Sequence, residues 1–391
     1  MRPNRDGSII YYVLWTGENP TYPASPPLWE TGVIPKSYYP GSNRGFTQND
    51  LQMIDNLVSD YMKRYQIPAF TFSIVVEEEL KFAAAYGYRD LIKEEPISYL
   101  HLFQPASIGK YGRPPYPPNV TAIELHHLLE HTAGWGRPPD VAFEIPEYWH
   151  LDNEDFVNAV LPNYPPSGAP DTFFKYSNFN YLLVQLIIES ATSLPLELVI
   201  NELVFKPVGI SKRYRVDTNI WDERRGDTAV FYASGGYAAD VYSYPKYTQG
   251  LASGGWLLSA VDLSRFLVRV DGFNQKYEDI LSEDSRRVML TPSKFTAENH
   301  LGCDICSYAK GWIINIAPFL QEDPAMGVWE AYGHGGALAG LAFLGRGNDG
   351  VQVSGMINTR ISAPFETIGL TYKIQEGLEN GWPDHDLFEN E

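Results

Sequence analysis

The sequence predicts an α+β fold: one antiparallel sheet formed from both chain ends, flanked by helices, with a mostly helical region inserted between its halves. Three observations carry that expectation. Strand-like runs occupy residues 69–90 and return only from residue 307 onward. Between them the apolar residues recur at helical rather than alternating spacing. The two strand groups bracket the helices instead of alternating with them, which points to an antiparallel sheet and away from a doubly wound parallel one.

Taken in order, residues 1–45 are rich in Pro, Gly, Tyr and Asn, with one short apolar run, SIIYYVLW, and read as an N-terminal extension of unknown role. One domain over 46–391 follows, with sheet parts at about 46–106 and 268–391 and a helical region at about 107–267. It opens with a helix. Thr47 and Asp50 make a capping pair, then Leu51, Ile54, Val58, Tyr61, Met62 and Tyr65 follow helical spacing until Pro68 closes the run. AFTFSIVV (Ala69–Val76) reads as a strand, and LKFAAAYGYRD (Leu80–Asp90) as its hairpin partner across a short acidic turn.

From about Thr121 to Leu267 the chain reads as mostly helical. TAIELHHLLEHTAGW and SNFNYLLVQLIIESAT are the clearest helices, and SAVDLSRFLVRV opens another with Ser259 and Asp262 in capping-box positions. The last third returns to strands in SYAKGWIIN, LAGLAFLGR and GVQVSGMIN, and closes with a helix, APFETIGLTYKIQEGLE, from near Pro364.

Composition narrows the function. The chain has 391 residues, 44% hydrophobic and 20% charged, which suits a well-packed core. A net charge of −18 argues against nucleic acid and against anionic lipid as partners. The most apolar stretch, Tyr181–Ile200, is interrupted by Gln185, Glu189, Pro195 and Glu197, so it reads as a buried helix and connector and not a membrane span. No signal peptide is evident, which makes the cytoplasm the default expectation, and Asn119-Val120-Thr121 is then an incidental glycosylation pattern. Cys303 and Cys306 read as a loop pair with no catalytic role, because half a zinc site is missing and no redox helix follows.

Four stretches carry residue types that do chemistry: PASIGK with Ser107 and Lys110, FKYSNFNY with Tyr176 and Asn178, ASGGWLLSAVDLSRFL with Gly254 and Gly255, and YGHGGALAG with His334, Gly335 and Gly336. Singly, each has a bland reading. Ser-x-x-Lys recurs by chance, Tyr-Ser-Asn before an apolar helix suits a cap, His-Gly-Gly suits a turn and Gly-Gly suits a loop. A metal hydrolase built on His126, His127 and His131 is a poor reading, since these lie in an ordinary apolar helix and no partner carboxylate is fixed by spacing. No metal or cofactor is expected.

Their order changes the weighing. Ser-x-x-Lys, then Tyr-x-Asn, then a basic residue with Gly on a late strand resembles the serine β-lactamase and penicillin-binding-protein superfamily. The resemblance is strongest to its class C β-lactamase-like branch, which includes esterases and D-aminopeptidase-type enzymes, and covers about residues 47–380. It implies a β-lactamase/transpeptidase-like fold and a serine hydrolase working through an acyl-enzyme on an ester, amide or β-lactam carbonyl. The expected partner is therefore a small-molecule or peptide-like acyl substrate.

Carried over by residue, Ser107 would be the nucleophile. Lys110 would be its base, or would hold Tyr176 ionised for that task. Asn178 would orient Lys110 and the substrate amide. The N–H groups of Ser107 and Ala337 would form an oxyanion hole, with Gly335 and Gly336 beside it. His334 stands where many relatives carry Lys. A mostly neutral imidazole implies weaker demand for an anionic substrate.

The sequence also departs from the family. There, Ser-x-x-Lys opens a long apolar helix; here Gly109 and Gly112 weaken any helix after Ser107, and Pro114 and Pro115 stop it. An internal deletion joining FQPAS to a connector is the expected account. It brings a second reading with it: a catalytically impaired relative that binds or scaffolds through the same cleft.

Overall fold

Thr47 and Asp50 do what their spacing predicts. In the computed structural model the Thr47 hydroxyl accepts the Asp50 N–H at 3.1 Å and the Asp50 carboxylate accepts the Thr47 N–H at 2.9 Å. Helix α1 (Gln48–Tyr65) follows and ends on Gln66, which takes a left-handed conformation ahead of Pro68. The structure describes residues 33–90, 95–99, 118–136, 139–148, 150–210, 215–216, 229–230, 232–233, 237–238, 251–273, 276–295, 306–314, 332–337, 341–347, 350–359 and 366–390. SIIYYVLW and the 107–110 stretch lie outside them.

β1 (Lys36–Tyr38), β2 (Ala69–Val76), β3 (Glu79–Asp90) and β4 (Glu95–Pro96) come from the N-terminal side. β2 and β3 form a hairpin whose turn residues Glu77 and Glu78 both have positive φ, 51° and 63°, the geometry that matches strand twist. From the C-terminal side come β9 (Ser307–Tyr308), β10 (Ile313–Ile314), β11 (Tyr332–Ala337), β12 (Leu341–Arg346) and β13 (Val351–Ile357). The main sheet runs β1-β3-β2-β13-β12-β11-β10-β9, antiparallel throughout, with β4 paired to β3. The two chain ends meet where Ser73 of β2 stands opposite Ser354 of β13.

Residues 36–38 lie within the stretch read as an extension, yet they pair with Ala84–Tyr86 as an edge strand. A buried carboxylate explains why. Asp55 on α1 accepts the hydroxyls of Tyr38 at 2.8 Å and Tyr86 at 2.9 Å, and an ion pair from Lys36.

Both faces of the sheet are covered, so its central strands are buried almost throughout. Side chains alternate. Phe70, Phe72 and Ile74 of β2, with Val353 and Ile357 of β13, pack with Ile54, Val58 and Met62 of α1 and Leu370, Tyr372 and Ile374 of the last helix. On the other face Ser73 and Ser354 meet Ser264 of the helix at Ala260–Leu267. The three hydroxyls lie 2.7–3.0 Å apart, and two of them reach the Ala260 carbonyl at 2.6 and 3.0 Å.

The inserted region holds α2 (Pro118–Thr121), α3 (Leu125–Leu129), α4 (Asn153–Val160), α5 (Asn178–Thr192), α6 (Leu196–Ile200), α7 (Leu251–Gly254) and α8 (Ala260–Leu267); α9 (Glu283–Leu290) and α10 (Glu366–Gly377) follow it. It also contains two strand pairs, β5 (Arg215–Val216) with β8 (Trp256–Leu257) and β6 (Tyr232–Ala233) with β7 (Tyr237–Ala238). α5 and α8 fall where the periodicity places them, and α8 carries the expected Ser259–Asp262 box. TAIELHHLLEHTAGW is not one helix. His127 Nδ1 accepts the Glu124 N–H at 2.9 Å, which restarts the helix as α3, and His131 ends it with a left-handed φ of 57°. Among the described residues no single helix is long and apolar enough to cross a membrane.

Candidate active site

The helix carrying Asn178 is started by an acid that sequence reading missed. Ser177 occupies the N-cap position of α5, but its hydroxyl donates to Asp140 at 2.5 Å, and the Asn178 N–H donates to the other Asp140 oxygen at 2.5 Å. Asp140 therefore does the capping, 37 residues upstream of Ser177. Burial raises its pKa, and these two bonds pull it back.

His131 holds the residues just before the helix. Its Nδ1 accepts the Ser177 N–H at 3.2 Å and lies 3.3 Å from the Asn180 amide, while its carbonyl accepts the Lys175 N–H at 2.8 Å. Tyr176 is thus strung across the His131 ring, centroid to centroid 4.2 Å. Tyr181 and Tyr308 pack on the same ring at 5.0 and 4.8 Å. His131 is 1% exposed and stands at the centre of this aromatic block. Among the described residues no group of three or more His, Cys, Asp and Glu is arranged to hold a metal ion.

The sheet brings the second half. β11 lies between β10 and β12 and carries His334, Gly335 and Gly336, ending at Ala337, whose peptide pairs with Leu341. The rings of His334 and Tyr176 are 6.4 Å apart. Tyr308 on β9, 2% exposed, fills the space between α5 and β11, with its hydroxyl 3.0 Å from His334 Nε2. One contact pins the β9–β10 turn to the helical region: Lys310 pairs with Glu130 at 2.6 Å with both side chains largely buried. Within the helical region Tyr181 of α5 donates to the Leu129 carbonyl of α3 at 2.8 Å.

The structure therefore brings Tyr176, His334 and the start of α5 together, with Gly335, Gly336 and Ala337 continuing along β11. Asn178 is held by its backbone N–H. Ser107 and Lys110 lie outside the described residues. Tyr308, Tyr181, Asp140 and Lys310 went unnoticed in the sequence because their partners stand 26 to 180 residues away and no spacing marks them. Cys306 is buried and disulfide-bonded, which leaves it no thiolate for chemistry; Cys303 is outside the described residues.

A family model described as Beta-lactamase matches residues 114–376, so Ser107 and Lys110 precede the matched span. A penicillin-binding protein of Bacillus subtilis (strain 168) is 23% identical over 314 residues, covering 69% of this chain; the matched part is 65% of that relative's length, just under two thirds. The octameric penicillin-binding protein homologue from Pyrococcus abyssi superposes with a TM-score of 0.63 at 18% identity, covering 84% of this chain and 79% of that one. The D-amino acid amidase from Ochrobactrum anthropi SV3 gives 0.62 at 17% identity, covering 85% of this chain and 99% of that one. At these identities the structural likeness speaks for the fold.

Proposed function

This chain belongs to the β-lactamase family, and within it we propose a serine hydrolase that acts through an acyl-enzyme on a neutral ester or amide. Family membership supports acyl transfer of the serine-hydrolase kind. The observation that carries the reading here is the approach of the Tyr176 ring, just ahead of α5, to the His334 ring on β11, 6.4 Å between centroids.

In this mechanism Ser107 attacks the substrate carbonyl while Lys110, or Tyr176 held ionised by Lys110, takes its proton. The oxyanion that forms is met by the N–H groups of Ser107 and Ala337. The proton passes to the leaving group as the carbonyl–leaving-group bond breaks. Water, deprotonated by the same base, then releases the acyl group and restores Ser107. Asn178 orients the base and the substrate amide, and Gly335 and Gly336 keep the strand beside His334 free of bulk. Because His334 replaces a fixed cation, esters and neutral amides should turn over faster than penicillins. β-Lactam turnover exceeding ester turnover, measured side by side, would overturn that order.

A second reading is favoured by one observation. The family match starts at residue 114, after Ser107 and Lys110, in the stretch where glycines and prolines replace the family's long helix. On that reading the cleft binds without acylating. A fluorophosphonate probe on the purified chain, beside Ser107→Ala and with circular dichroism as a folding check, separates the two. Labelling lost in Ser107→Ala supports the hydrolase; a folded, unlabelled chain supports the binding protein.

A further inference from the structure

Ser177 is fully buried, and each of its polar groups is engaged. Its N–H donates to His131 Nδ1 at 3.2 Å, its hydroxyl donates to Asp140 at 2.5 Å, and its carbonyl accepts the Asn180 N–H at 3.2 Å. Asp140 stands in a short helical turn, Pro139–Glu144, whose Ala142 belongs to the same buried cluster as Phe179 of α5. The backbone at Ser177 is extended, with φ −154° and ψ 120°. Extended backbone sends the side chains before and after a residue to the side opposite its own. Drawing Ser177 in toward Asp140 therefore turns Tyr176 away from Asp140 and toward β11, where its ring lies 6.4 Å from that of His334.

The bond to His131 fixes the protonation of that ring. A backbone N–H only donates, so Nδ1 accepts, and the one ring proton of the neutral imidazole sits on Nε2. The Asn180 amide, 3.3 Å from the same nitrogen, is a second donor to it. An imidazolium would set an N–H of its own against that of Ser177. The ionisable groups that face the ring are Tyr176 ahead of α5, Tyr181 on α5 and Tyr308 on β9. Burial pushes the phenols of Tyr181 and Tyr308 up, so both stay neutral. Asp140 faces it across Ser177. Glu130, its chain neighbour, is paired with Lys310. Asp171 and Lys175 meet residues 132 and 131 through their backbone N–H groups, and Asp171 is paired with Lys294.

We propose that His131 and Asp140 are positioning residues that hold Tyr176 toward β11 by gripping Ser177 at its N–H and its hydroxyl, and that the grip requires a neutral His131 ring. As pH falls and the ring takes a second proton, the Ser177 N–H loses its acceptor and Tyr176 loses its hold. What this does to turnover rests on the acyl-transfer reading above; the grip itself does not.

The test uses the whole chain labelled with ¹⁵N-histidine, with His131→Asn to assign the His131 signals. Two-bond ¹H–¹⁵N correlation near neutral pH should show a pyridine-like Nδ1 and a protonated Nε2. A ring protonated at Nδ1, averaged between tautomers or carried as an imidazolium overturns the grip whether or not the chain is an enzyme. Turnover is read on p-nitrophenyl acetate. Ser177→Ala removes only the bond to Asp140 and should lower kcat about tenfold with KM little changed, the effect of one hydrogen bond. His131→Ala, which offers no acceptor, should lower it about a hundredfold. Asparagine suits the left-handed φ of 57° at position 131 and presents an amide oxygen near the place of Nδ1, so His131→Asn keeps the acceptor without titrating. It should restore kcat to within about tenfold of native and lose the step of the kcat–pH profile that tracks protonation of the native ring. The same profile in both chains overturns the need for a neutral ring, and native kcat in Ser177→Ala overturns the part given to Asp140. Where the native chain turns over no ester, the hydrolase reading fails by itself. The hold is then read from the ¹⁹F line of Tyr176 in the 3-fluorotyrosine chain, assigned with Tyr176→Phe. Ser177→Ala should shift that line, and an unmoved line overturns the hold.

Discussion

Replacing Asp271 with asparagine should convert a pH-dependent stability into a nearly flat one. Asp271 follows α8, is 1% exposed, and accepts the Phe273 N–H at 2.8 Å and a bond from the Gln352 amide. Burial pushes its pKa up to about 7; the two bonds pull it back, and Glu78 and Asp279 push it further. The unfolded carboxyl titrates near 3.8, so between about pH 4 and pH 7 the native state holds a proton that the unfolded state has released. Stability contributed by this group is therefore full below the unfolded value, falls as pH rises through the window, and is level above it. A shift of about 3 units, at about 1.4 kcal/mol each, makes the loss about 4 kcal/mol as an order of magnitude. Asparagine keeps an oxygen for the Phe273 N–H. Its amide also has an acceptor at hand, because the buried Gln352 Oε1 has no hydrogen-bond partner among the described residues and a turn of that side-chain amide presents it. Urea unfolding of both proteins at about pH 4.5 and about pH 8 reads the difference. The variant should gain on the native chain by a few kcal/mol between the two conditions. Parallel curves for the two proteins would refute the placement of a strained carboxyl at this position.

Two further changes test the sheet. Gly87 has φ 93°, and a Cβ there would lie 2.0 Å from the Pro68 carbonyl oxygen, so Gly87→Ala must part β3 from the chain ahead of β2 and should cost about 3 kcal/mol or more in urea unfolding. Asn358, fully buried just after β13, accepts the Ala69 N–H at 2.8 Å and donates to the Val230 carbonyl at 2.7 Å. Asn358→Ala orphans both backbone groups and should lose about 3 kcal/mol, read the same way; a loss near zero would mean that neighbouring groups re-pair them.

What was legible in the sequence was local. Thr47 with Asp50 and Ser259 with Asp262 lie three residues apart, and each pair satisfies its own helix end without help from elsewhere. Strand identity was legible too, because β2, β12 and β13 are apolar runs bounded by turn residues. The pairing of β1 was not, since two of its three residues, Lys36 and Tyr38, are held by Asp55 of α1, a partner no periodicity marks. The broken helix at Leu125–Leu129 was misread for a similar reason. His127 and His131 look like ordinary helix residues, and only their ring nitrogens, turned onto Glu124 and Ser177, show that they organise the backbone. At the site, Tyr176 and His334 stood out by their motifs. Tyr308 did not, because a tyrosine in a strand is commonplace and its hydrogen bond to His334 crosses the sheet.

The pairing of Ser73 with Ser354 has a consequence for how the chain is made. The central strand β2 gains its second neighbour only when residues 351–357 arrive, about 280 positions later. During synthesis the β2–β3 hairpin must wait with one long apolar edge unpaired while the whole helical region is produced. Closing so large a loop late makes for slow folding, and an open edge in the interim is a template for other chains. The mutual grip of three serines beneath that seam acts only after closure, so it slows the sheet's opening without hastening its formation. Yield of this protein in a cell should therefore depend more on what shields that edge during synthesis than on how stable the finished sheet is.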